Sequence, residues 1–256
     1  VINIILHGCN GHMGRMICDT AAEETGIRIA AGVDVDTAVH YDFPVFEHMS
    51  DISGVEADVI IDFSVARAVD ELISYVEKTQ IPAIICTTGL TMEQQIRLEE
   101  ASKKTALLRS ANMALGVNLL IRLAADAAKI LAANGYDIEI VEKHHRRKVD
   151  APSGTALAIA DSINDACDGQ FRYVYGRSER HEARDPHEIG ISAVRGGTIP
   201  GDHDVIFAGE DELITLSHTA YSRKIWAKGA FTAARFLAGK PAGYYTMADV
   251  IGDVLK

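Results

Sequence analysis

Residues 2–7 of this chain are mostly β-favouring, and they run directly into Gly8-Cys9-Asn10-Gly11-His12-Met13-Gly14. Few folds accept three glycines placed so closely behind a buried strand. Helical spacing of Met13, Met16, Ile17 and Ala21 follows at once, and Gly26 supplies a stop. A second β-favouring run, residues 27–33, ends at Asp34. Two strands joined through a helix pair in parallel, because a hairpin cannot hold the intervening turns. Each glycine then has a task. Gly8 permits the tight turn, Gly11 lets a diphosphate approach the backbone, and Gly14 lets helix and strand pack closely. The helix start faces the phosphates. Asp34 stands 20 residues beyond Gly14, where it can accept hydrogen bonds from ribose hydroxyls. Dinucleotide binding leads over the plainer reading of an ordinary βαβ turn. Asn10 takes the place often held by the middle glycine, and Asn tolerates positive φ. The charge of Asp34 would repel a 2′-phosphate, and Val35 and Asp36 offer no cation to attract one.

The alternation continues. Residues 57–64 are an apolar strand, and Ser64 is placed to cap a helix through Val69, Leu72, Ile73 and Val76. Asp62 reads first as a local hydrogen-bond acceptor and second as a catalytic acid. A fourth strand, 82–86, delivers Thr87-Thr88-Gly89 to the carboxyl edge of the sheet, where such folds bind ligands. Thr91 opens a helix through Ile96 and Leu98, and a fifth strand, 105–108, leads to Ser110-Ala111-Asn112-Met113. The expected class is α/β, with a Rossmann-like, doubly wound parallel sheet. After Gly116 the pattern changes. A long Ala/Leu-rich helix over 117–133 stops at Asn134-Gly135, and 136–142 alternates as a strand with Ile138 and Ile140 on one face. A helix over 153–167 precedes a polar stretch, 168–190, expected to be a long loop. Residues 191–195, 204–208 and 212–219 read as three further strands. These predict a second α+β domain with an open, roughly four-stranded mixed sheet. Helices from 223 to 239 and from 247 to 255 are expected to return to the first sheet. The domains are then 1–114 with 224–256, and 115–223.

Ahead of the 153–167 helix stands Glu142-Lys143-His144-His145-Arg146-Arg147-Lys148-Val149-Asp150-Ala151-Pro152-Ser153-Gly154-Thr155-Ala156. Lys143 to Lys148 are all cationic or titratable toward it, on a chain of formal charge -11. Pro152 suits a first helical turn, and a helix start offers amides to an anion. A solvated basic patch is the plainest reading. The net acidity argues against a nucleic-acid partner. Adjacent histidines on a strand point to opposite faces, and no carboxylate or Cys stands at ligand spacing, so no metal is expected. A catalytic site for an anionic substrate leads. Histidine exchanges protons near neutral pH, and a lysine crowded by Arg146 and Arg147 is pushed toward its neutral, readier form. The amides of Ser153, Gly154 and Thr155 can take a carboxylate. Cys9, Cys18, Cys86 and Cys167 are scattered, as expected of reduced thiols in a cytoplasmic protein. No apolar run reaches the ~18 residues of a membrane span, so no membrane partner is expected, and the first residues read as a strand rather than a signal peptide.

This stretch resembles the signature of the 4-hydroxy-tetrahydrodipicolinate reductase (dihydrodipicolinate reductase) family. Gly8-x-x-Gly11-x-Met13-Gly14, Ile61-Asp62-Phe63-Ser64, Thr87-Thr88-Gly89, Ala111-Asn112, Gly116-Val117-Asn118 and Ser222-Arg223 resemble it too, in the same order. The resemblance implies hydride transfer from nicotinamide C4 to the cyclic imine derived from 4-hydroxy-tetrahydrodipicolinate, giving tetrahydrodipicolinate on the diaminopimelate–lysine route. It implies that His144 is the acid/base residue and Lys148 the proton donor to the developing enamine nitrogen. By the same resemblance His145, Lys148, Ser153, Gly154 and Thr155 hold the substrate carboxylates. The implied cofactor contacts are Gly8, Cys9, Asn10, Gly11, His12, Met13, Asp34, Cys86, Thr87, Thr88, Ser110, Ala111, Asn112 and Met113. The family also implies a homotetramer built through the second domain, with hinges near 114–116 and 222–224. Val35 stands where some relatives have Arg or Lys, so NADH is expected to be preferred, with NADPH possible. Arg147 replaces a His of some relatives, with no loss of catalysis expected. Two other readings are a non-catalytic NAD-responsive sensor and a reductase of another small dicarboxylate. A sensor would not need the intact His144, Lys148 and 153–155 set.

Overall fold

The computed structural model describes residues 1–178 and 180–254. The N-terminal segment lays down β1 (Ile2–His7), α1 (His12–Ala22), β2 (Ile27–Val33), β3 (Val45–Phe46), β4 (Val59–Asp62), α2 (Val69–Thr79), β5 (Ala83–Ile85), α3 (Met92–Ser102) and β6 (Ala106–Arg109). Ile4, Ile5 and Leu6 are fully buried, as a strand covered on both faces requires. Leu72, Ile73 and Val76 of α2 and Leu98 of α3 cover one face together. The α3 start is a capping box: Thr91 Oγ1 accepts from the Gln94 amide at 3.1 Å, and Gln94 Oε1 from the Thr91 amide at 3.0 Å. Ser64 does not cap α2. That helix is entered through a 3₁₀ turn at Ala66–Ala68, and the Ser64 amide bonds to Asp62 Oδ1 at 3.1 Å instead.

The chain then builds a separate unit, Gly116–Arg223. It comprises most of α4 (Leu115–Leu131), β7 (Asp137–His144), α5 (Gly154–Ala166), β8 (Arg172–Tyr175), β9 (Glu188–Arg195), β10 (Asp202–Ala208) and β11 (Leu213–Thr219). The mixed sheet has five strands in the order β11-β10-β7-β9-β8, rather than about four. The extra strand, β8, lies inside the expected 168–190 loop, and β9 starts three residues earlier than expected. Leu120, Ala124 and Ala128 of α4 and Ile159, Ala160 and Ile163 of α5 pack on Ile138, Ile140, Ile189, Ile191, Val205 and Phe207.

Charge hides this part of the sheet from a hydropathy reading. Glu188 is fully buried, and Arg172, Arg177 and Arg180 reach it at 2.7–2.8 Å. Arg177 and Arg184 also meet Glu139 at 2.7 and 3.0 Å, so these two arginines are tied to the sheet. The three guanidiniums hold the Glu188 carboxyl far below its ordinary range. A depressed folded pKa adds stability above the unfolded value and loses it as pH falls toward the folded one. Urea midpoints of the wild type should therefore fall from about pH 5 to about pH 3, and Glu188→Gln should flatten that slope.

From Lys224 the chain rejoins the first unit through α6 (Lys224–Leu237), β12 (Gly243–Tyr245) and α7 (Met247–Val254). The expected return of both helices is found, but β12 is an addition, pairing in parallel with β6. Leu255, where the last helix was expected to end, lies outside the described residues. The completed sheet has seven strands in the order β12-β6-β5-β4-β1-β2-β3, all pairs parallel. Ala227, Ala230, Phe231, Ala234 and Leu237 of α6 are buried against Ile4, Leu6, Ile61 and Leu108. Phe231→Ala should cost ~3–5 kcal/mol, readable as a lowered urea midpoint.

Candidate active site

In the first unit the strand order reverses beside β1, which has β2 on one side and β4 on the other. Open parallel sheets bind ligands at such a switch point, beyond the carboxyl ends of the strands. Gly8 turns the chain there with φ +81, and a Cβ on it would lie 2.7 Å from the Phe63 carbonyl oxygen. A Cβ on Gly14 would come within 2.1 Å of the Gly8 oxygen, so α1 packs against the turn only without a side chain there. Asn10 does not use positive φ; among the described non-glycine residues Gln80 and Asp168 do. It ties loops together instead. Its amide bonds to Asp34 Oδ2 at 2.9 Å, its Nδ2 to the Asp36 carbonyl at 2.5 Å, and its Oδ1 accepts from Tyr41 at 2.8 Å.

The other expected cofactor contacts fall on the same edge, but their side chains differ in what they offer. Cys9, Cys86 and Met113 are buried. Burial pushes the Cys9 thiol up to about 12 and the Cys86 thiol up as well, so both are packing groups with backbone alone to offer. Gly11 and His12 are exposed at the start of α1, and Met13 is half-buried. Thr87 is buried and Thr88 exposed; the Thr87 hydroxyl sits 3.4 Å from that of Ser64. Ser110 Oγ bonds the Asn112 carbonyl at 2.8 Å, and Asn112 Oδ1 accepts from Trp226 Nε1 at 2.9 Å, which shapes the exposed Ala111 turn. Asp62 is fully buried, with His7 Nδ1 2.9 Å from one oxygen. Burial alone would raise its pKa; His7, Ser64 and Thr87 bring it below the ordinary value. A cavity of about 410 Å³ opens along this edge, lined by Gly8, Gly11, Asp34, Glu47, Arg67 and Glu71 among others. Arg67 is a cation that reading the residues next to Asp34 did not find.

In the second unit β7 runs on to His144, two residues past its expected end. Period-two alternation puts Ile138, Ile140, Glu142 and His144 on the buried face. Glu142 is fully buried and completely bonded. Its Oε1 accepts from Arg195 Nη2 at 2.6 Å and the Ser153 amide at 2.9 Å. Its Oε2 accepts from Arg195 Nη1 at 2.7 Å and lies 2.6 Å from His144 Nδ1. Burial by itself would raise the Glu142 pKa, but Arg195, His144 and the Ser153 amide bring it below the ordinary value. His203 on β10 meets His144 edge to face, with ring centroids 5.2 Å apart. Burial first, and the neighbouring His144 second, push His203 down to about 4, so it is neutral near pH 7. Its Nε2 lies 3.1 Å from Ser153 Oγ.

The rest of the stretch divides. Lys143 pairs with Asp204 at 2.9 Å. Arg146 and Arg147 are exposed, and Lys148 forms an ion pair with Asp150 at 2.9 Å. Lys148 in turn holds the Asp150 carboxyl below its ordinary range, with help from the Asp150 and Gly154 amides. His145 is half-buried, and its Nδ1 has no hydrogen-bond partner among the described residues. The helix α5 starts at Gly154 with Ser153 as N-cap, its Oγ accepting from the Ala156 amide at 3.1 Å. Pro152 therefore stands just outside the first turn. The Ser153 amide, expected to take a substrate carboxylate, is spent on Glu142. A side chain added at Gly154 would meet nothing within 4 Å, which leaves room for a ligand over the helix start. Among the described residues, no three His, Cys, Asp or Glu side chains are grouped to hold a metal ion, and no helix is long and apolar enough to cross a membrane.

Glycine turn, parallel sheet and interrupted first unit place the chain in the class of two-unit proteins with a Rossmann-like nucleotide-binding fold. Myo-inositol dehydrogenase from Lactobacillus casei, solved with NAD(H) and myo-inositol, shares that fold over 98% of this chain and 90% of its own, at TM-score 0.62 and 16% identity. Within the class the assignment is specific: the chain belongs to the dihydrodipicolinate reductase family. The family's N-terminal model matches residues 2–113 and its C-terminal model residues 116–251. A 4-hydroxy-tetrahydrodipicolinate reductase from Caldanaerobacter subterraneus subsp. tengcongensis is 52% identical, covering 98% of each chain. One from Clostridium tetani is 48% identical over 96% of each. A dipicolinate-bound dihydrodipicolinate reductase from Paenisporosarcina sp. TG-14 superposes at TM-score 0.82 with 25% identity, covering 96% of this chain and 97% of its own.

Proposed function

We propose that this chain reduces the cyclic imine derived from 4-hydroxy-tetrahydrodipicolinate to tetrahydrodipicolinate, in diaminopimelate and lysine biosynthesis. The observation that carries the reading is the intact 142–155 stretch, on a chain 52% identical to a reductase of that name along nearly its whole length. Unit 1–115 with 224–256 binds a nicotinamide dinucleotide, and unit 116–223 binds the substrate. Residues 8–13, Asp34, 86–88 and 110–113 hold the dinucleotide, which when bound supplies hydride from C4. The fit rests on the glycine-floored cavity and the carboxylate of Asp34 beside it. Asp34, Glu47 and Glu71 make that cavity net acidic, which favours NADH over NADPH.

On the second unit Lys148 gives its proton to the developing enamine nitrogen, and His144 acts as the acid/base group. Such positioned proton transfer is worth ~10²–10⁴ in rate. His145 and Lys148 bind the substrate carboxylates with Gly154 and Thr155; Ser153 serves the clamp as the cap that fixes the helix start. Val141, Val194 and Ile206, on the sheet face away from α4 and α5, suit assembly into a homotetramer, which sedimentation would test. The decisive assay adds the chain to aspartate semialdehyde, pyruvate and the preceding synthase, and follows NADH oxidation. Folded protein that oxidises no NADH under those conditions would refute the proposal.

A further inference from the structure

We propose that Glu142 is the positioning residue for His144: it keeps the ring proton on Nδ1, so that Nε2 is the atom that gives and takes protons. Naming the reaction rests on the function proposed above; the tautomer does not. An ionised carboxylate only accepts hydrogen bonds. With Oε2 2.6 Å from His144 Nδ1, that nitrogen must carry hydrogen, and the neutral ring then has its lone pair on Nε2. Two further features hold the carboxylate ionised and still. Arg195 grips both oxygens in a fork at 2.6 and 2.7 Å, and the Ser153 amide fixes Oε1 at 2.9 Å. Arg195 is itself anchored by donating to the Asp150 carbonyl at 2.6 Å. One buried carboxylate thereby couples the end of β7, the end of β9 and the start of α5.

Among the described residues the hydrogen bond to this ring is made at Nδ1. A Cβ at Gly201 would come within 2.9 Å of His144 Nε2, so glycine keeps the approach to that atom unblocked. The charged and titratable groups around the ring fit the assignment. His203, packed edge-on from β10, is neutral near pH 7 and has its Nε2 on Ser153, and Lys148 is paired with Asp150.

Ring-nitrogen NMR of ¹⁵N-histidine-labelled wild-type protein tests this directly, above the pH at which His144 loses its charge. The expected spectrum has hydrogen on Nδ1 and a bare Nε2; hydrogen on Nε2 with a bare Nδ1 would overturn the proposal. Glu142→Gln should lower kcat by ~10²–10⁴ with little change in KM, and should mix the two tautomers. Glu142→Asp, which keeps the charge, should recover part of the loss. An unchanged kcat in folded Glu142→Gln would also overturn it, and the wild-type spectrum still decides if that variant does not fold. Wild-type protein inactive toward the imine would sink the proposed function while leaving the tautomer result standing.

Discussion

Lys148→Ala is expected to lower kcat by about 10²–10⁴ while NADH still binds with wild-type affinity. The split follows from the two-unit organisation, since Lys148 lies in 116–223 and the glycine turn in the other unit. Hydride addition leaves negative charge on the imine system, and the reduced nitrogen must collect a proton. Alanine removes both the donor and a charge that binds a carboxylate, so KM should rise as well. Lys148→Arg separates these effects. Arginine keeps the positive charge but does not give up a proton at ordinary pH, so KM should largely recover and kcat should not. Full recovery of kcat in the Arg variant would mean that Lys148 supplies field rather than a proton. Titration of NADH fluorescence gives the binding control.

The wild type is expected to use NADH with kcat/KM roughly 10–100-fold above that for NADPH, and Asp34→Asn should shrink that ratio. The cavity beside Asp34 holds opposing charges: carboxylates at Asp34, Glu47 and Glu71, and one guanidinium at Arg67. Arg67 is exposed, so solvent and salt screen its attraction for a 2′-phosphate. Asp34 is half-buried at the end of β2 and fixed by the Asn10 amide, so its repulsion is better directed. Asparagine keeps an acceptor for that amide while removing the charge, which makes it a cleaner probe than alanine. A clear NADPH preference in the wild type would show that Arg67 outweighs the three acids.

Much of this architecture is legible where the chain is apolar and periodic. The βαβ start, the long α4 and the return of α6 carry strong patterns, and the structure contains each of them. Two of the missed strands have too few residues to show a period. Val45–Phe46 has two and Gly243–Tyr245 three, and the sheet beside them creates the pairing. Arg172–Tyr175 and the first residues of β9 were hidden for another reason. Glu188 is buried there beneath partly exposed arginine partners, whereas a hydropathy reading treats charge as solvent-facing. Glu142 was visible in principle. It shares even parity with Ile138 and Ile140, so alternation alone puts it on the buried face, and a buried acid two residues before a histidine calls for a cation. That cation, Arg195, lies 53 residues away, and only the parallel pairing of β7 with β9 brings it near.

The interruption of the first unit has a consequence for how the chain is made. Domains generally close in the order in which they leave the ribosome. Here β1 to β6 emerge first, yet the face that α6 will cover waits until residues beyond Lys224 have been synthesised. The stretch 116–223 is continuous and can complete its own core in the meantime. Nascent protein should therefore carry a bare strip over Ile4, Leu6, Ile61 and Leu108 for most of its elongation, a natural landing place for chaperones. A premature stop after residue 223 would make that exposure permanent.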